Sequence, residues 1–313
     1  MHVHAQAPND GNTTSKRLQW SLWITVAFIV IEFAAGIKAQ SLALLSDAGH
    51  NFTDALALAL AWFAFRIQAK PPSETKTFGY QRAGVLSAFV NALTLVILAL
   101  FIFFEAYQRF LAPRVVQEDI MIVVAGAGLV VNIAVMWALH RDSAKDINIR
   151  GAFMHMLGDA LSSAGIIAGG IVIAYTGNLR IDPLLSVLIA VLILWSGWAI
   201  IRESLNILLE GLPRGMKRDD VCDALRGLDG VIDVHDLHIW SLSSSAHALS
   251  CHAVIADLPP SASEAILRQM NELLNERFQI CHTTVQFEHE ECQHAADICT
   301  NHQTAGAVHE HHH

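Results

Sequence analysis

The sequence predicts an α-helical membrane protein, with six transmembrane helices followed by a C-terminal α+β domain in a ferredoxin-like arrangement. Three observations predict this fold class. Hydrophobic residues make up 53% of the 313-residue chain and charged residues only 16%. The apolar residues are concentrated before residue 201, where they form long stretches. After residue 210 the composition is that of a soluble domain, with apolar residues spaced as in short helices and strands.

Each membrane helix is predicted from an apolar stretch of about twenty residues, the length that a helix needs to cross a bilayer. Short polar breaks separate these stretches. Lys16 and Arg17 followed by apolar residues would also fit a signal peptide. No small-residue cleavage site follows, however, and Glu32 interrupts the stretch, so we expect an uncleaved first helix. The six predicted helices are Leu18–Ile37, Leu42–Ile67, Ala83–Tyr107, Ile120–Leu139, Ile147–Tyr175 and Asp182–Ile201.

The basic residues predict the orientation of the helices, because Lys and Arg accumulate in cytoplasmic loops. If the N-terminus is cytoplasmic, thirteen Lys and Arg residues flank the inner ends of the helices and only four flank the outer ends. We therefore expect both termini in the cytoplasm. The sequence shows no basic patch of the kind that binds nucleic acid, and its formal net charge is −9.

The segment after the sixth helix predicts the order helix–strand–strand–helix–strand, an α+β unit with one sheet face covered. The predicted elements are Lys217–Leu228, Val231–Leu242, Ala246–Ile255, Ala262–Phe278 and Thr283–Phe287. We expect four regions in all: a disordered His-containing N-terminus (1–15), the membrane domain (16–210), a cytoplasmic α+β domain (211–290) and a disordered Cys- and His-rich tail (291–313). In this topology the five cysteines lie in the cytoplasm, which favours free thiols or metal ligands over disulfides.

Two identical patterns, His50-x-x-x-Asp54 and His155-x-x-x-Asp159, occur in the second and fifth predicted helices. Residues four apart share one helix face, so each pattern places an imidazole beside a carboxylate. An aspartate near the bilayer centre costs about 2.5–3.5 kcal/mol, which indicates a functional reason for keeping two. Together the pairs would form a four-ligand cage of two nitrogens and two oxygens, a set that Zn²⁺ accepts. The alternative is two separate polar pairs that bind to neighbouring helices.

Metal ions and protons would compete for these four side chains, because ligation requires deprotonated imidazole and carboxylate groups. Two aspartates balance one Zn²⁺, and two protonated histidines balance the aspartates once the metal has left. The pattern therefore predicts a metal/proton exchanger, in which the external proton gradient drives metal out of the cytoplasm. Asp47, three residues before His50, is expected either to orient that imidazole as a hydrogen-bond acceptor or simply to begin the helix.

The chain resembles the cation diffusion facilitator family, and within it the bacterial zinc-exporter branch. The second helix matches in SLALLSDAGHNFTD (41–54), and the fifth helix matches in HMLGD (155–159). TFGYQR (77–82) matches between the second and third helices, and VHDLHIW (234–240) matches in the soluble part. The likeness extends from about residue 16 to residue 288, with the motifs in the family's order and spacing.

The resemblance implies a homodimer in the bacterial inner membrane, with a regulatory cytoplasmic domain like a metallochaperone. It implies that His50, Asp54, His155 and Asp159 bind the transported Zn²⁺. It also implies that His at position 50 favours zinc, whereas relatives with Asp at this position also accept cadmium.

Arg82 and Glu210 match a charge pair that holds the family's dimer together at the membrane edge. The cytoplasmic metal ligands would be His235, His252 and Glu288, with His282, Cys292 or Cys299 completing the site; Gln286 replaces a histidine that some members use.

Two other classes of protein share some of these sequence features. In a membrane-anchored metal sensor, the soluble domain would signal and the helices would only anchor it, without transport. Such an anchor would not need four buried metal ligands in its helices. A membrane zinc protease is suggested by the H-E-x-x-H pattern at His309–His313. That chemistry needs a stable helix, a third ligand and a water-filled cleft. The predicted disordered tail provides none of these, so we expect no enzymatic activity.

Overall fold

The computed structural model describes residues 26–143, 147–243 and 246–289, without the side chains of 138–143 and 147–152. The predicted disordered segments, and with them Cys292 and Cys299, lie outside the described residues. The chain forms two compact units. The first unit contains the chain up to Trp62 together with Val90–Ile200. The second unit contains Phe63–Phe89 together with the chain from Ile201 onward.

Six consecutive helices precede the soluble part: α1 at 26–39, α2 at Leu42–Gln68, α3 at Ala83–Leu111, α4 at Glu118–Ser143, α5 at Ile147–Thr176 and α6 at Ile181–Leu208. By length and composition, four segments are suited to cross a membrane: Ala83–Leu111, Glu118–Trp137, Phe153–Thr176 and Ile181–Leu208. The 27-residue α2 is not among them, and it carries Asp47, His50, Asn51 and Asp54. The chain thus has a multi-pass helical membrane domain.

Apolar side chains from α2 to α6 form the core of the first unit. Leu44, Ile102, Met121 and Ile166 are almost completely buried there. Glycines on α5 let its neighbours approach closely. A Cβ at Gly169 would overlap Leu185 of α6, and one at Gly170 would lie 2.7 Å from Ile122 of α4. Close contact through small residues is how membrane helices gain packing energy without a hydrophobic driving force.

A fully buried carboxylate from α6 caps the N-terminus of α2. Asp182 accepts hydrogen bonds from the Ser41 hydroxyl at 2.5 Å and from the backbone N–H groups of Leu42 at 2.7 Å and Ala43 at 3.2 Å. The first N–H groups of a helix have no partner within that helix, so a carboxylate from elsewhere stabilises them. The position of α2 is therefore fixed by α6.

Arg109, near the end of α3, joins the same end of the helix bundle. Its Nη1 donates a hydrogen bond to the carbonyl of Gln40 at 2.5 Å and lies 3.9 Å from Asp182. The backbone N–H of Gln117, just before α4, donates to the carbonyl of Ala39 at 2.9 Å. The α1–α2 turn, the end of α3 and the starts of α4 and α6 therefore meet at one end, as the predicted up-and-down order requires.

The soluble part has the predicted element order. It comprises α7 (Arg218–Arg226), β1 (Val231–Ser241), β2 (His247–Ile255), α8 (Pro260–Phe278) and β3 (Ile280–Glu288). The strands form one sheet in the order β1-β2-β3, with β1 antiparallel and β3 parallel to the central β2. The strand β3 begins three residues earlier than the sequence pattern suggested, because Cys281 and His282 are exposed and interrupt the apolar alternation.

One face of the sheet packs against α7 and α8. The buried side chains of β2 on this face are Leu249, Cys251, Ala253 and Ile255. Helix residues that meet them are Val221, Leu225, Ile266, Met270 and Leu274. Burial raises the pKa of the Cys251 thiol to about 12, so this cysteine stays protonated within the core. Cys222, Cys251 and Cys281 are all free thiols, in agreement with the sequence prediction.

We predict that Asp182→Ala lowers the thermal unfolding midpoint of the detergent-solubilised protein, because removing an N-cap costs about 0.5–2 kcal/mol. Asp182→Asn should lower it less, since the amide oxygen can still accept a hydrogen bond. Asp119→Ala is the matched control, because Asp119 lies exposed in the first turn of α4. Equal midpoints for Asp182→Ala and Asp119→Ala would show that the carboxylate does not hold α2.

Candidate metal centres

Helices α2 and α5 are antiparallel neighbours joined by three successive polar contacts. The Ser162 hydroxyl donates a hydrogen bond to Asp47 at 2.6 Å. One turn along, His50 faces Asp159, and a further turn along, Asp54 faces His155. The two sequence patterns read in opposite directions on antiparallel helices, so each histidine meets the aspartate of the other helix.

The structure brings together all four residues of the two patterns. Nε2 of His50 lies 3.6 Å from Asp54 Oδ2 and 3.9 Å from Asp159 Oδ1. Nε2 of His155 lies 3.3 Å from Asp54 Oδ2 and 3.6 Å from Asp159 Oδ2. The two imidazole rings are 6.1 Å apart between centroids, with an interplanar angle of 75°. The four side chains, called the helix quartet below, thus point their nitrogen and oxygen atoms at a common space.

Two atoms of the helix quartet are buried without a hydrogen bond to any described group: Asp54 Oδ2 and His50 Nδ1. Asp54 Oδ2 is also the atom that both imidazoles approach most closely. A buried carboxylate oxygen that accepts no hydrogen bond is costly. A cation bound among these atoms would remove that cost, and neutral imidazole with carboxylate is a ligand set that zinc accepts.

The exposure of the helix quartet is graded along the helices. The Asp159 and His50 side chains are 9% and 21% exposed, whereas Asp54 and His155 are 29% and 44% exposed. Because α2 and α5 are antiparallel, the two more exposed side chains lie at the same end of the quartet. The end of the quartet formed by Asp54 and His155 is therefore the more exposed one.

Asp47 does not contact His50 in the way that one sequence interpretation expected. Its carboxylate is buried and accepts the hydrogen bond from Ser162 on α5, while Nδ1 of His50 has no hydrogen-bond partner among the described residues. Asp47 contacts the neighbouring helix because that side of α2 packs against α5.

Ser162 and the buried Glu32, which accepts a hydrogen bond from Asn51 at 2.9 Å, were not predicted as site neighbours. The one sequence signal for Ser162 was its position, three residues after Asp159, which mirrors Asp47 before His50.

A second cluster lies on the sheet face that α7 and α8 leave open. His235 of β1 pairs in register with His252 of β2, and Glu288 lies on β3. His235 Nε2 is 3.1 Å from Glu288 Oε2, and His252 Nδ1 is 2.9 Å from Glu288 Oε1. Ligand atoms of all three lie within 4.8 Å of one another. These three residues are called the sheet trio below.

The donor set of the sheet trio fits a zinc ion. His235 Nε2 and Glu288 Oε2 are buried, and neither makes a hydrogen bond although they lie 3.1 Å apart. Two imidazoles and a carboxylate that converge in this way could hold Zn²⁺ and leave one position open. Gln286 donates a hydrogen bond to Glu288 Oε1 at 2.8 Å and so holds this carboxylate in place.

The structure does not bring His282 to the sheet trio, which corrects one expected ligand. His282 and Glu288 are six residues apart on the same strand, or about 20 Å in extended backbone. The ring of His282 instead contacts Phe78, with 5.4 Å between centroids. The other two suggested ligands, Cys292 and Cys299, lie outside the described residues.

Arg82 and Glu210 form the expected ion pair within one chain. Arg82 Nη2 donates to Glu210 Oε1 at 3.1 Å and lies 3.4 Å from the carbonyl of Ser241. The Glu210 side chain is 64% exposed, so the pair contributes little to the stability of a single chain. Any larger effect of this pair would have to come from an assembly.

Comparison with known proteins identifies the family to which both parts of the chain belong. The cation efflux transmembrane domain family model matches residues 18–209, and the model for the cytoplasmic domain of cation efflux proteins matches residues 213–290. The chain is 42% identical to the zinc transporter ZitB of Pectobacterium atrosepticum, over 96% of this chain and 92% of that protein. It is 38% identical to a cadmium, cobalt and zinc/H(+)-K(+) antiporter of Bacillus velezensis, over 100% and 99% of the two chains.

One solved structure is similar to the soluble part. It is the metal-bound C-terminal domain of the CzcD transporter from Cupriavidus metallidurans, 33% identical to this chain. The match covers 23% of this chain and 99% of that structure, with a TM-score of 0.22.

Proposed function

This chain belongs to the cation efflux family of membrane transporters, and from that premise we propose that it exports cytoplasmic Zn²⁺ in exchange for external protons through the helix quartet. The family consists of transporters, not enzymes, and its relatives carry names of zinc exporters and antiporters. The observation that carries the proposal is the convergence of two imidazoles and two carboxylates from α2 and α5 on one space.

Zinc is the cargo that best suits the helix quartet. Four side chains with two nitrogen and two oxygen donors match the tetrahedral coordination of Zn²⁺. Hard ions such as Mg²⁺ and Ca²⁺ prefer oxygen ligands in larger number, so the two imidazoles select against them. Two aspartates neutralise the charge of one zinc ion, which lowers the cost of holding it inside the membrane domain.

Exchange with protons follows from the same four groups. An aspartate pair without its metal needs positive charge nearby, and protonation of His50 and His155 supplies it. Zinc that arrives from the cytoplasm must displace those protons, and protons that enter from outside must displace zinc. Binding of metal and binding of protons are therefore mutually exclusive, as an antiporter requires.

The exposure gradient supports loading from the cytoplasm. In the proposed orientation, both termini lie on the cytoplasmic side of the bacterial inner membrane. The end of α2 and the start of α5 then also lie on the cytoplasmic side. The more exposed members of the quartet, Asp54 and His155, lie at that end. In this proposal, cytoplasmic zinc enters at the more exposed end of the quartet, and the end of α2 that Asp182 caps faces the outer side.

The soluble domain regulates transport in this proposal. The sheet trio binds cytoplasmic Zn²⁺, and two copies of the chain form a homodimer in which zinc tightens contact between the soluble domains. The family model that matches residues 213–290 is described as a cytoplasmic domain, which supports a location of the soluble domain in the cytoplasm, from which zinc is exported. Arg82 and Glu210 would stabilise the dimer at the membrane edge, as the charge pair does in the family.

We predict that purified protein in liposomes with a trapped zinc indicator shows zinc uptake that moves protons in the opposite direction. Asp54→Ala and Asp159→Ala should each reduce the uptake to that of empty liposomes, because each removes a ligand and leaves the site with a net positive charge when zinc binds. Asp119→Ala, which removes an exposed carboxylate from α4, is the matched control. Uptake that survives both quartet substitutions would indicate a metal-binding anchor instead of a transporter through this site.

A second prediction concerns metal selectivity. His50→Asp should raise cadmium flux relative to zinc flux, because a third carboxylate replaces an imidazole and the site discriminates less between divalent ions. The measurement is the ratio of the two fluxes in the same liposomes. An unchanged ratio in a variant that still transports would show that His50 does not ligate the cargo.

A third prediction concerns the soluble domain. Added zinc should bring the two soluble domains of the full-length dimer closer together, as measured by small-angle scattering or cross-linking. His235→Ala should abolish the change, because it removes one ligand of the sheet trio. Scattering that does not depend on zinc in the unsubstituted protein would rule out this regulation.

A further inference from the structure

The sheet trio is part of a longer chain of alternating imidazoles and carboxylates. Beyond His252, Asp236 Oδ2 lies 3.8 Å from His252 Nε2, and Asp236 Oδ1 lies 3.0 Å from His238 Nε2. On the other side of His252, its Nδ1 is 2.9 Å from Glu288. Nδ1 of His252 therefore faces Glu288 of the sheet trio, and Nε2 of His252 faces Asp236.

A β-bulge places Asp236 on this face of the sheet. In β1, the two residues Asp236 and Leu237 lie between the paired positions His235 and His238, whereas β2 has the single residue Cys251 between the partners of those positions. The bulge shifts the alternation, so that Val234 before it and Leu237 after it are both buried in the core. Without the bulge, Asp236 and His238 would lie on the opposite face from His235.

The backbone at Asp236 is adapted to this position. Its φ of +48° lies in the left-handed region, which Asp and Asn adopt more readily than other side chains do. Bulges are frequent next to functional sites, where they redirect a side chain. The sequence thus maintains an unusual backbone conformation at the residue that faces the second nitrogen of a metal-binding histidine.

The chemistry of histidine ligation explains what Asp236 does there. An imidazole that binds a metal through Nδ1 carries its proton on Nε2, and that N–H needs an acceptor. Metal-bound histidines commonly donate this proton to a carboxylate, which fixes the tautomer and the ring orientation and makes the ligand more basic. Asp236 is the carboxylate on that side of His252.

We propose that Asp236 is a positioning residue for the cytoplasmic zinc site, where it holds His252 in the tautomer and orientation that bind the ion through Nδ1, and where His238 holds Asp236. This inference rests on the proposed zinc site at His235, His252 and Glu288. Asp236 itself does not ligate the metal. Its effect is to raise the affinity of the sheet trio for zinc, and so to lower the cytoplasmic zinc concentration at which the soluble domain responds.

The test uses the full-length protein with Asp54→Ala and Asp159→Ala, so that the helix quartet does not contribute to zinc binding. Zinc is titrated against a chromophoric chelator, and the site is defined as the binding that His252→Ala removes. Asp236→Gly removes the carboxylate and tolerates the positive φ, and it should weaken zinc binding about 10–100-fold without changing the number of ions bound. Asp236→Asn keeps an acceptor oxygen and should weaken binding less.

Two further measurements separate positioning from ligation. Asp229→Asn, the same charge change at an exposed residue before β1, should leave the affinity unchanged. The cobalt-substituted Asp236→Asn protein should keep the visible absorption bands of the parent, because the ligands are the same. Altered bands or one ion fewer would make Asp236 a ligand and overturn the positioning role, as would full affinity in Asp236→Gly. If His252→Ala removes no binding, the cytoplasmic zinc site itself is wrong, and the role of Asp236 falls with it.

Discussion

The antiparallel register of α2 against α5 is the constraint on which the account of this protein depends. Each residue along an α-helix rotates the side chain by about 100° and moves it by 1.5 Å, so a slip of one residue would turn a ligand away from its partners. The Asp47–Ser162 hydrogen bond holds that register one turn from the helix quartet. It lets two short sequence patterns that are a hundred residues apart form a single site.

Polar contacts also fix the N-terminus of α2, one of the two helices of the quartet. Asp182 binds the first backbone N–H groups of α2, and Arg109 binds the turn before it, so the N-terminal end of α2 is tied to α3 and α6. At the opposite end of the quartet, the side chains of Asp54 and His155 are the more exposed pair. Rigidity at one end and access at the other suit a site that loads from one side of the membrane.

Much of this could be predicted from the sequence, because hydrophobic length and spacing four residues apart are local properties. The helix order and the element order of the soluble domain are confirmed, and the histidines and aspartates of the two patterns do meet. Other long-range contacts could not be predicted. Asp47 binds Ser162 rather than His50, and His282 lies about 20 Å along its strand from Glu288. The bulge at Asp236 was also invisible, since the letters VHDLHIW fit an ordinary alternating strand and the register shift is set by pairing with β2.

The most direct test of the central claim is X-ray absorption spectroscopy of the full-length protein carrying one equivalent of zinc, with His235→Ala and His252→Ala to exclude the cytoplasmic site. If α2 and α5 hold one ion between them, the spectrum will show four nitrogen and oxygen neighbours at about 2.0–2.1 Å, two of them imidazoles. Sulfur ligands, or fewer than two imidazoles, would show that the two helices do not share a metal ion.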